Sequence, residues 1–301
     1  MKTIRPKKLE TGDTIGILAV SGRIKEYERI EKAAQFFENR GFKTVISDTC
    51  KCSHRYMAGK NDTDCINAFH SFFSDKNIDA ILCARGGFGT IRLLNKINWN
   101  IVKKNPKIFA GYSDITALLA MIYKKTGLIT FHAPMACGDF GAELNDYTIK
   151  SFFGALNGSK NSFYAENNIV YKKGTAKGAL WGGNLSVLTS LCGINFIPDE
   201  DIILFLEDLN EPVYKIDRML AQLFNINKLK KNVKGIAFGE FLNIDDEKML
   251  DELLKETAHK LNIPVSRGFK ITHEKEKDTV PFGAQAEFNA DKGTLILQAG
   301  I

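Results

Sequence analysis

Between Lys107 and Leu119 the hydrophobic period of the chain changes within a few residues. Ile108, Phe109 and Ala110 form a short apolar run after Pro106, and from Ile115 onward Leu118, Leu119 and Ile122 recur at helical spacing. A buried strand that turns at once into an apolar helix is the repeating unit of an α/β sheet. The stretch therefore predicts strand, tight turn and helix. Gly111 permits the turn, Asp114 can cap the first helical amides, and Gly127 ends the helix after Lys124 and Lys125. Ser113 falls at the apex, with its hydroxyl at the carboxyl end of a strand. A nucleophilic serine needs that geometry, because the amide that follows it can stabilise the oxyanion its attack creates. Two readings stand here: a nucleophile, or a polar turn residue of the kind common before any helix. The second glycine of a hydrolase elbow, two places after the serine, is replaced by Ile115.

The same unit recurs upstream. Thr14 to Val20 is a β-rich run, Ser21-Gly22 turns, and Tyr27, Ile30, Ala33, Ala34 and Phe37 recur at helical spacing until Gly41, before a second strand from Phe42 to Ile46. Strand, helix and strand with short turns make a βαβ unit. Ile66, Phe69, Phe72 and Phe73 mark a second helix, which Asn61 or Asp62 can cap. Asp79 to Ala84 is a near-continuously apolar third strand that runs into Arg85-Gly86-Gly87-Phe88-Gly89, with a helix expected around Ile91, Leu93, Leu94 and Ile97. This spacing matches neither the dinucleotide fingerprint nor a P-loop. The loop is either a structural turn or a site whose amides face an oxyanion or carboxylate. It leaves its strand at the same end of the sheet as the Ser113 turn, and ligands bind at that edge. Leu128 to Phe131 is a further strand ending at His132, which beside Pro134 reads as structural, with a base or a ligand as the alternative. A helix around Ile149, Phe152, Phe153 and Leu156 closes this half.

A length of 301 residues suits about two domains. We divide the chain into an N-terminal α/β domain (1–160), a polar linker (161–175) and a mostly β C-terminal domain with helices (176–301). In the second domain Leu185, Val187, Leu188 and Leu191 form a helix, and Ile202 to Leu206 is an apolar strand delivering Glu207 at its end. A carboxylate there either orients something or is a surface group. Ile216, Met219, Leu220 and Leu223 continue as a helix carrying Asp217 and Arg218, and the final β region contains His273 in a charged loop, where plain solvent exposure is the simpler reading. Basic residues exceed acidic ones by only six, and the cluster from Lys228 to Lys231 reads as a solvated face and not a nucleic-acid patch. No apolar run approaches the roughly 20 residues that cross a bilayer, and the basic N-terminus lacks the apolar block of a secretory signal. Six scattered cysteines (Cys50, Cys52, Cys65, Cys83, Cys137, Cys192) suit a reducing compartment, so the cytoplasm is expected. Cys50-Lys51-Cys52 with His54 is spaced too tightly for the usual zinc pair, and neither a metal nor a cofactor is expected.

Ser113, Glu207 and His273 occur in the order serine, acid, histidine, as in α/β-hydrolases. Five blocks make a resemblance specific: ARGGFG (Ala84 to Gly89), GYSD (Gly111 to Asp114), WGGNLSVL (Trp181 to Leu188), LFLEDLNEPVYKIDRML (Leu204 to Leu220) and HEKEKDTVPFG (His273 to Gly283). They resemble the signature blocks of the LD-carboxypeptidase family of serine peptidases, which also contains the microcin-immunity peptidases. The resemblance runs from about Gly12 to Ala290. It implies a triad of Ser113, Glu207 and His273 in a cleft between the two domains, with Thr272 where the family commonly has glycine. Oxyanion donors would be the amides of Asp114 and of Gly86 or Gly87, and substrate would be bound by Arg85, Gly183, Asn184 and Arg218. The implied activity is removal of the terminal D-alanine from muropeptide tetrapeptides in cytoplasmic peptidoglycan recycling, by a homodimer acting on a small peptide. Cleavage of an aminoacyl-nucleotide amide is the alternative within the same chemistry, and a non-catalytic anion-binding protein is the alternative of another class.

Overall fold

A computed structural model of the chain describes residues 2–298. In the N-terminal half the order is β1 (Thr14–Leu18), α1 (Glu28–Glu38), β2 (Lys43–Ile46), a small hairpin of β3 (Ser53–His54) and β4 (Met57–Ala58), α2 (Asp62–Ser74), β5 (Ala80–Cys83), α3 (Trp99–Lys104), β6 (Ile108–Gly111), α4 (Thr116–Thr126), β7 (Thr130–His132) and α5 (Asp146–Asn157). β2, β1, β5, β6 and β7 pair in parallel; β1, β5, β6 and β7 are buried, as strands with helical crossovers should be, whereas β2 at the edge has no buried residue. Two of the expected caps are present: the Asn61 side chain accepts from Asp64 N, and Gly127 ends α4 in the left-handed conformation at φ 77°. Lys107 is buried, and its ammonium donates to the carbonyls of Phe72, Asp75 and Ile78, tying the end of α2 to the start of β6.

The C-terminal half contains β8 (Ser162–Lys172), β9 (Thr175–Asn184), α6 (Leu185–Ser190), β10 (Ile202–Leu209), α7 (Val213–Phe224), α8 (Asn227–Asn232), β11 (Val233–Leu242), α9 (Glu247–Leu261), β12 (Val265–Phe269), β13 (Val280–Phe282), β14 (Gln285–Asn289) and β15 (Thr294–Leu297). Seven of these strands close a barrel in the order β10-β11-β12-β8-β15-β14-β9. The fold is thus α/β, with a parallel-sheet N-terminal half and a β-barrel C-terminal half that carries helices.

Three expectations need correction. Residues 161–175 are not a linker: β8 and the start of β9 fill them and belong to the barrel. The chain also returns to the first half, because β13 leaves the barrel and pairs antiparallel with β7, making the six-stranded order β13-β7-β6-β5-β1-β2. Pro281, which donates no ladder hydrogen bond, is tolerated there because β13 is an edge strand. The helix expected around Ile91 to Ile97 is only a short 3-10 turn at Thr90–Arg92. Thr90 is held at both its amide and its hydroxyl by Asp114, and Asn98 N donates to His70, so the chain is pinned at each end of that segment.

Helix α4 sits where the halves meet. Nearly every residue from Thr116 to Tyr123 is buried, which fits a helix apolar all round. Thr116 Oγ1 accepts from Asn184 N at the end of β9. No helix among the described residues is long and apolar enough to cross a membrane.

Candidate active site

Ser113 opens a short 3-10 turn between β6 and α4, and its φ of 61° places it in the left-handed region. A non-glycine residue is held there at a cost of roughly 1–3 kcal/mol, so the surrounding structure must impose it. The loop after β5 is part of that imposition. A Cβ on Gly86 would lie 2.8 Å from Ser113 Cβ and 3.0 Å from its Oγ, so only glycine lets the loop lie against the serine. Gly86 O accepts from Gly22 N at 3.0 Å, joining the loop after β1 to the same point. The expected role of the Asp114 side chain is overturned: it caps no helical amide. It is buried, accepting from Ser21 Oγ at 2.6 Å and Thr90 N at 3.0 Å, and so binds the three strand-end loops together. Burial raises its pKa, opposed by these donors.

Glu207 lies within β10, opposite Asn184, where the pairing of β10 with β11 slips between Leu206 and Asp208. Such an irregularity re-aims a side chain, and here the Glu207 carboxylate is fully buried with its Oε2 2.7 Å from His273 Nδ1. Solvent exposure is therefore the wrong reading of His273, whose side chain is 13% exposed. Its Nε2, facing away from the carboxylate, is buried and makes no hydrogen bond among the described residues. Thr272 does local service: its hydroxyl donates to Glu240 Oε2 at 2.6 Å and accepts from Glu274 N at 3.0 Å, fastening the residues on either side of the histidine. The His273 ring packs on Tyr112, the residue before the serine, with centroids 4.8 Å apart.

Sequence reasoning missed a buried polar group beneath this arrangement. Lys277, four residues after the histidine, is 3% exposed; its ammonium lies 2.7 Å from Asp139 Oδ1, donates to Tyr112 Oη at 3.1 Å and sits 4.3 Å from the Tyr112 ring centroid. Asp139 also accepts from Met135 N. Burial, with the charges of Asp139 and Glu207, pushes the Tyr112 phenol well above its usual range and keeps it neutral. The next residue, Asp278, is likewise buried and takes Tyr147, Ser151 and Lys160 as partners. A charged run in sequence is thus half solvated and half buried, and only a partner such as Asp139, far away in the chain, decides which. His132 is buried between Tyr112 and Phe205, and burial holds its pKa at about 4, so it is neutral. That fits the structural reading. Asp208, beside Glu207, is pushed up to about 6 by burial and by the Glu207 charge.

The four expected substrate-binding residues separate. Asn184 is buried and fully used: its Oδ1 accepts from Val187 N and Ser186 Oγ, and its Nδ2 donates to Asp208. Gly183 is pressed against Thr116. Arg218 is exposed midway along α7 and makes no hydrogen bond among the described residues. Arg85, next in sequence to the Gly86 that lies against Ser113, lines a surface basin, where its Nη1 donates to Arg23 O at 2.7 Å. Glutamate, imidazole and a strained serine on adjoining segments can carry out acyl transfer if the imidazole takes the hydroxyl proton while the carboxylate holds its other nitrogen.

Two family models match the chain, the LD-carboxypeptidase N-terminal domain over residues 15–133 and the LD-carboxypeptidase C-terminal domain over residues 177–288. The "Probable murein peptide carboxypeptidase" of Bacillus subtilis is 37% identical over 306 residues, covering 99% of this chain and 95% of its own. The microcin C7 self-immunity protein MccF of Escherichia coli is 30% identical, covering 95% of this chain and 93% of its own. The structure of MccF with glutamyl sulfamoyl guanosine superposes with a TM-score of 0.88 at 27% identity, over 97% of this chain and 98% of that one. Muramoyltetrapeptide carboxypeptidase from Oxalobacter formigenes superposes with a TM-score of 0.83 at 27% identity, over 94% and 97%.

Proposed function

The chain belongs to the LD-carboxypeptidase family, and from that premise we propose that it is a serine carboxypeptidase removing the terminal D-alanine of muropeptide tetrapeptides at the L,D bond. The observation that carries this reading is the 2.7 Å pairing of the buried Glu207 with His273, whose ring packs against the residue before Ser113. In this mechanism His273 Nε2 takes the Ser113 proton as the hydroxyl attacks the terminal amide. Glu207 fixes the tautomer that leaves Nε2 as the acceptor and stabilises the imidazolium. The amides of Asp114 and of Gly86 or Gly87 receive the oxyanion. The imidazolium gives its proton to the departing amine, and water then releases the acyl group from Ser113. All six cysteines are free thiols, which suits the reducing cytoplasm where wall peptides are recycled, and the family resemblance implies a homodimer.

Similarity to MccF supports a second reading, hydrolysis of an aminoacyl-nucleotide amide. Both readings are tested by incubating the protein and Ser113→Ala with a diamino-acid tetrapeptide and, separately, with an aminoacyl sulfamoyl-adenosine. D-alanine release that the substitution reduces by at least about a thousandfold is expected. Nucleoside release with no alanine release favours the second reading, and ligand binding without turnover of either compound rejects both.

A further inference from the structure

Three segments at the carboxyl edge of the sheet line an open basin of about 480 Å³, and Gly86, between its lining residues Arg85 and Gly87, lies against Ser113. The loop after β1 contributes Arg23 and Lys25, the loop after β5 contributes Arg85 and Phe88, and the tip of the β3–β4 hairpin contributes Tyr56. The basin is built and not merely bounded. Arg23 N donates to Tyr56 O at 3.0 Å, Ala58 N to Ser21 O at 2.8 Å, and Arg85 Nη1 to Arg23 O at 2.7 Å, so the three segments are mutually fastened. Tyr56 and Phe88 meet edge to face with centroids 5.6 Å apart, yet they remain 51% and 47% exposed. Arg23 and Arg85 bond only to backbone carbonyls, and among the described residues no carboxylate pairs with them or with Lys25. Three cations converge on one basin without a counter-charge, under an uncovered aromatic pair.

The strand order says which side of the scissile bond this basin faces. His273 approaches the sheet edge on the path into β13, next to β7; Ser113 follows β6; the basin follows β5 and β1. Along the edge, the serine therefore lies between histidine and basin. His273 must hand a proton to the departing amine, so the leaving residue lies on the histidine side and the retained acyl portion extends the other way. We infer that the Arg23, Lys25 and Arg85 basin binds a carboxylate on the retained, acyl side of the substrate, and that Tyr56 and Phe88 pack against the carbon framework bearing it. The inference rests on the reading of Ser113 as the nucleophile of a peptide amide hydrolase. It also narrows the role of Arg85, which the resemblance gives only as a substrate-binding residue, to the acyl side. An arginine fork suits a planar carboxylate, and aromatic cover excludes water and strengthens the attraction.

The test uses three substrates: the tetrapeptide, an analogue with every acyl-side carboxylate converted to an amide, and an analogue with only the terminal carboxylate amidated. The kcat/KM for release of the terminal residue is measured for the wild-type protein, Arg85→Met and Arg23→Met. The wild-type protein should favour the acyl-side acid over its amide by about tenfold or more, the value of a charge-assisted hydrogen bond. Both variants should lose that preference while keeping the wild-type discrimination at the terminal carboxylate. Retention of the acyl-side preference in both variants, or loss of the terminal one instead, overturns the inference while leaving the activity in place. Arg23 is exposed, so its variant still decides the matter if Arg85→Met fails to fold. Absence of alanine release from the wild-type protein with all three substrates overturns the underlying reading and this inference with it.

Discussion

At the scale of single residues, Ser113 and Lys277 carry opposite kinds of cost. Ser113 holds a left-handed backbone that alanine would share and glycine would not resent. Ser113→Gly should therefore be more stable than Ser113→Ala by about 1 kcal/mol in denaturant unfolding; equal stabilities would mean that the turn is unstrained. Lys277 and Asp139 form a buried pair in which each group depends on the other. Lys277→Met leaves the Asp139 carboxylate buried without its cation and should cost about 3 kcal/mol, whereas adding Asp139→Asn, which retains an acceptor for Met135 N, should recover part of that loss. Lys277 touches the Tyr112 ring against which His273 packs, and if that contact positions the imidazole, activity lost in Lys277→Met should fall on kcat and not on KM. A loss in KM alone would argue against that positioning role. The serine was legible in sequence because a strand-to-helix turn is written in adjacent residues. Lys277, Asp139 and the true partners of Asn184 were not, because burial and pairing are decided by segments that meet only in the fold.

At the scale of elements, the strands of the first half were legible through their apolar runs, and the serine proposed as nucleophile directly follows one of them, β6. Two groups on strands titrate in opposing directions. His132, at the end of β7, has a native pKa of about 4, below the usual histidine value near 6.5, so the unfolded chain binds its proton first as pH falls. Stability from this group is complete above about pH 6.5 and is lost towards pH 4, by roughly 3 kcal/mol. Asp208, in β10, has a native pKa of about 6, so the native state binds the proton first and gains a similar amount over nearly the same window. Relative to the wild-type protein, His132→Asn should therefore gain stability on acidification from pH 6.5 to 4, and Asp208→Asn should lose it. Parallel pH profiles for all three proteins would refute both assignments. What the periodicity did not reveal was the partner of each strand. The segment Val280 to Phe282 reads as part of the C-terminal β region, but its hydrogen bonds go to β7. Pairing at that distance in sequence leaves no local mark.

At the scale of the whole molecule, that return strand makes the two halves one structure. Because β13 completes the N-terminal sheet while β14 continues into the barrel, neither half contains all of its own strands in one stretch of chain. The path of the chain between β12 and β13 carries His273, and the pairing of β13 with β7 brings it to the edge of the sheet where its ring packs against Tyr112, the residue before Ser113. Cooperative unfolding should follow. The chain has two tryptophans, Trp99 in α3 and Trp181 in β9, one reporter for each half. Trp99→Phe and Trp181→Phe should each show a single transition whose midpoint agrees between tryptophan fluorescence and circular dichroism. A midpoint for the Trp99 signal that separates from that of the Trp181 signal by more than the substitutions themselves explain would indicate independent domains. The joining of the halves matters because the proposed nucleophile, Ser113, and its proposed activating pair, Glu207 and His273, come from different halves of the chain. The most direct measurement is therefore the mass of the protein quenched during turnover of the tetrapeptide, with the modified residue located by peptide mapping. The expected adduct is the retained acyl portion in ester linkage to Ser113, absent in Ser113→Ala and in His273→Ala. Turnover that persists in Ser113→Ala, or an adduct at any other residue, would contradict the triad.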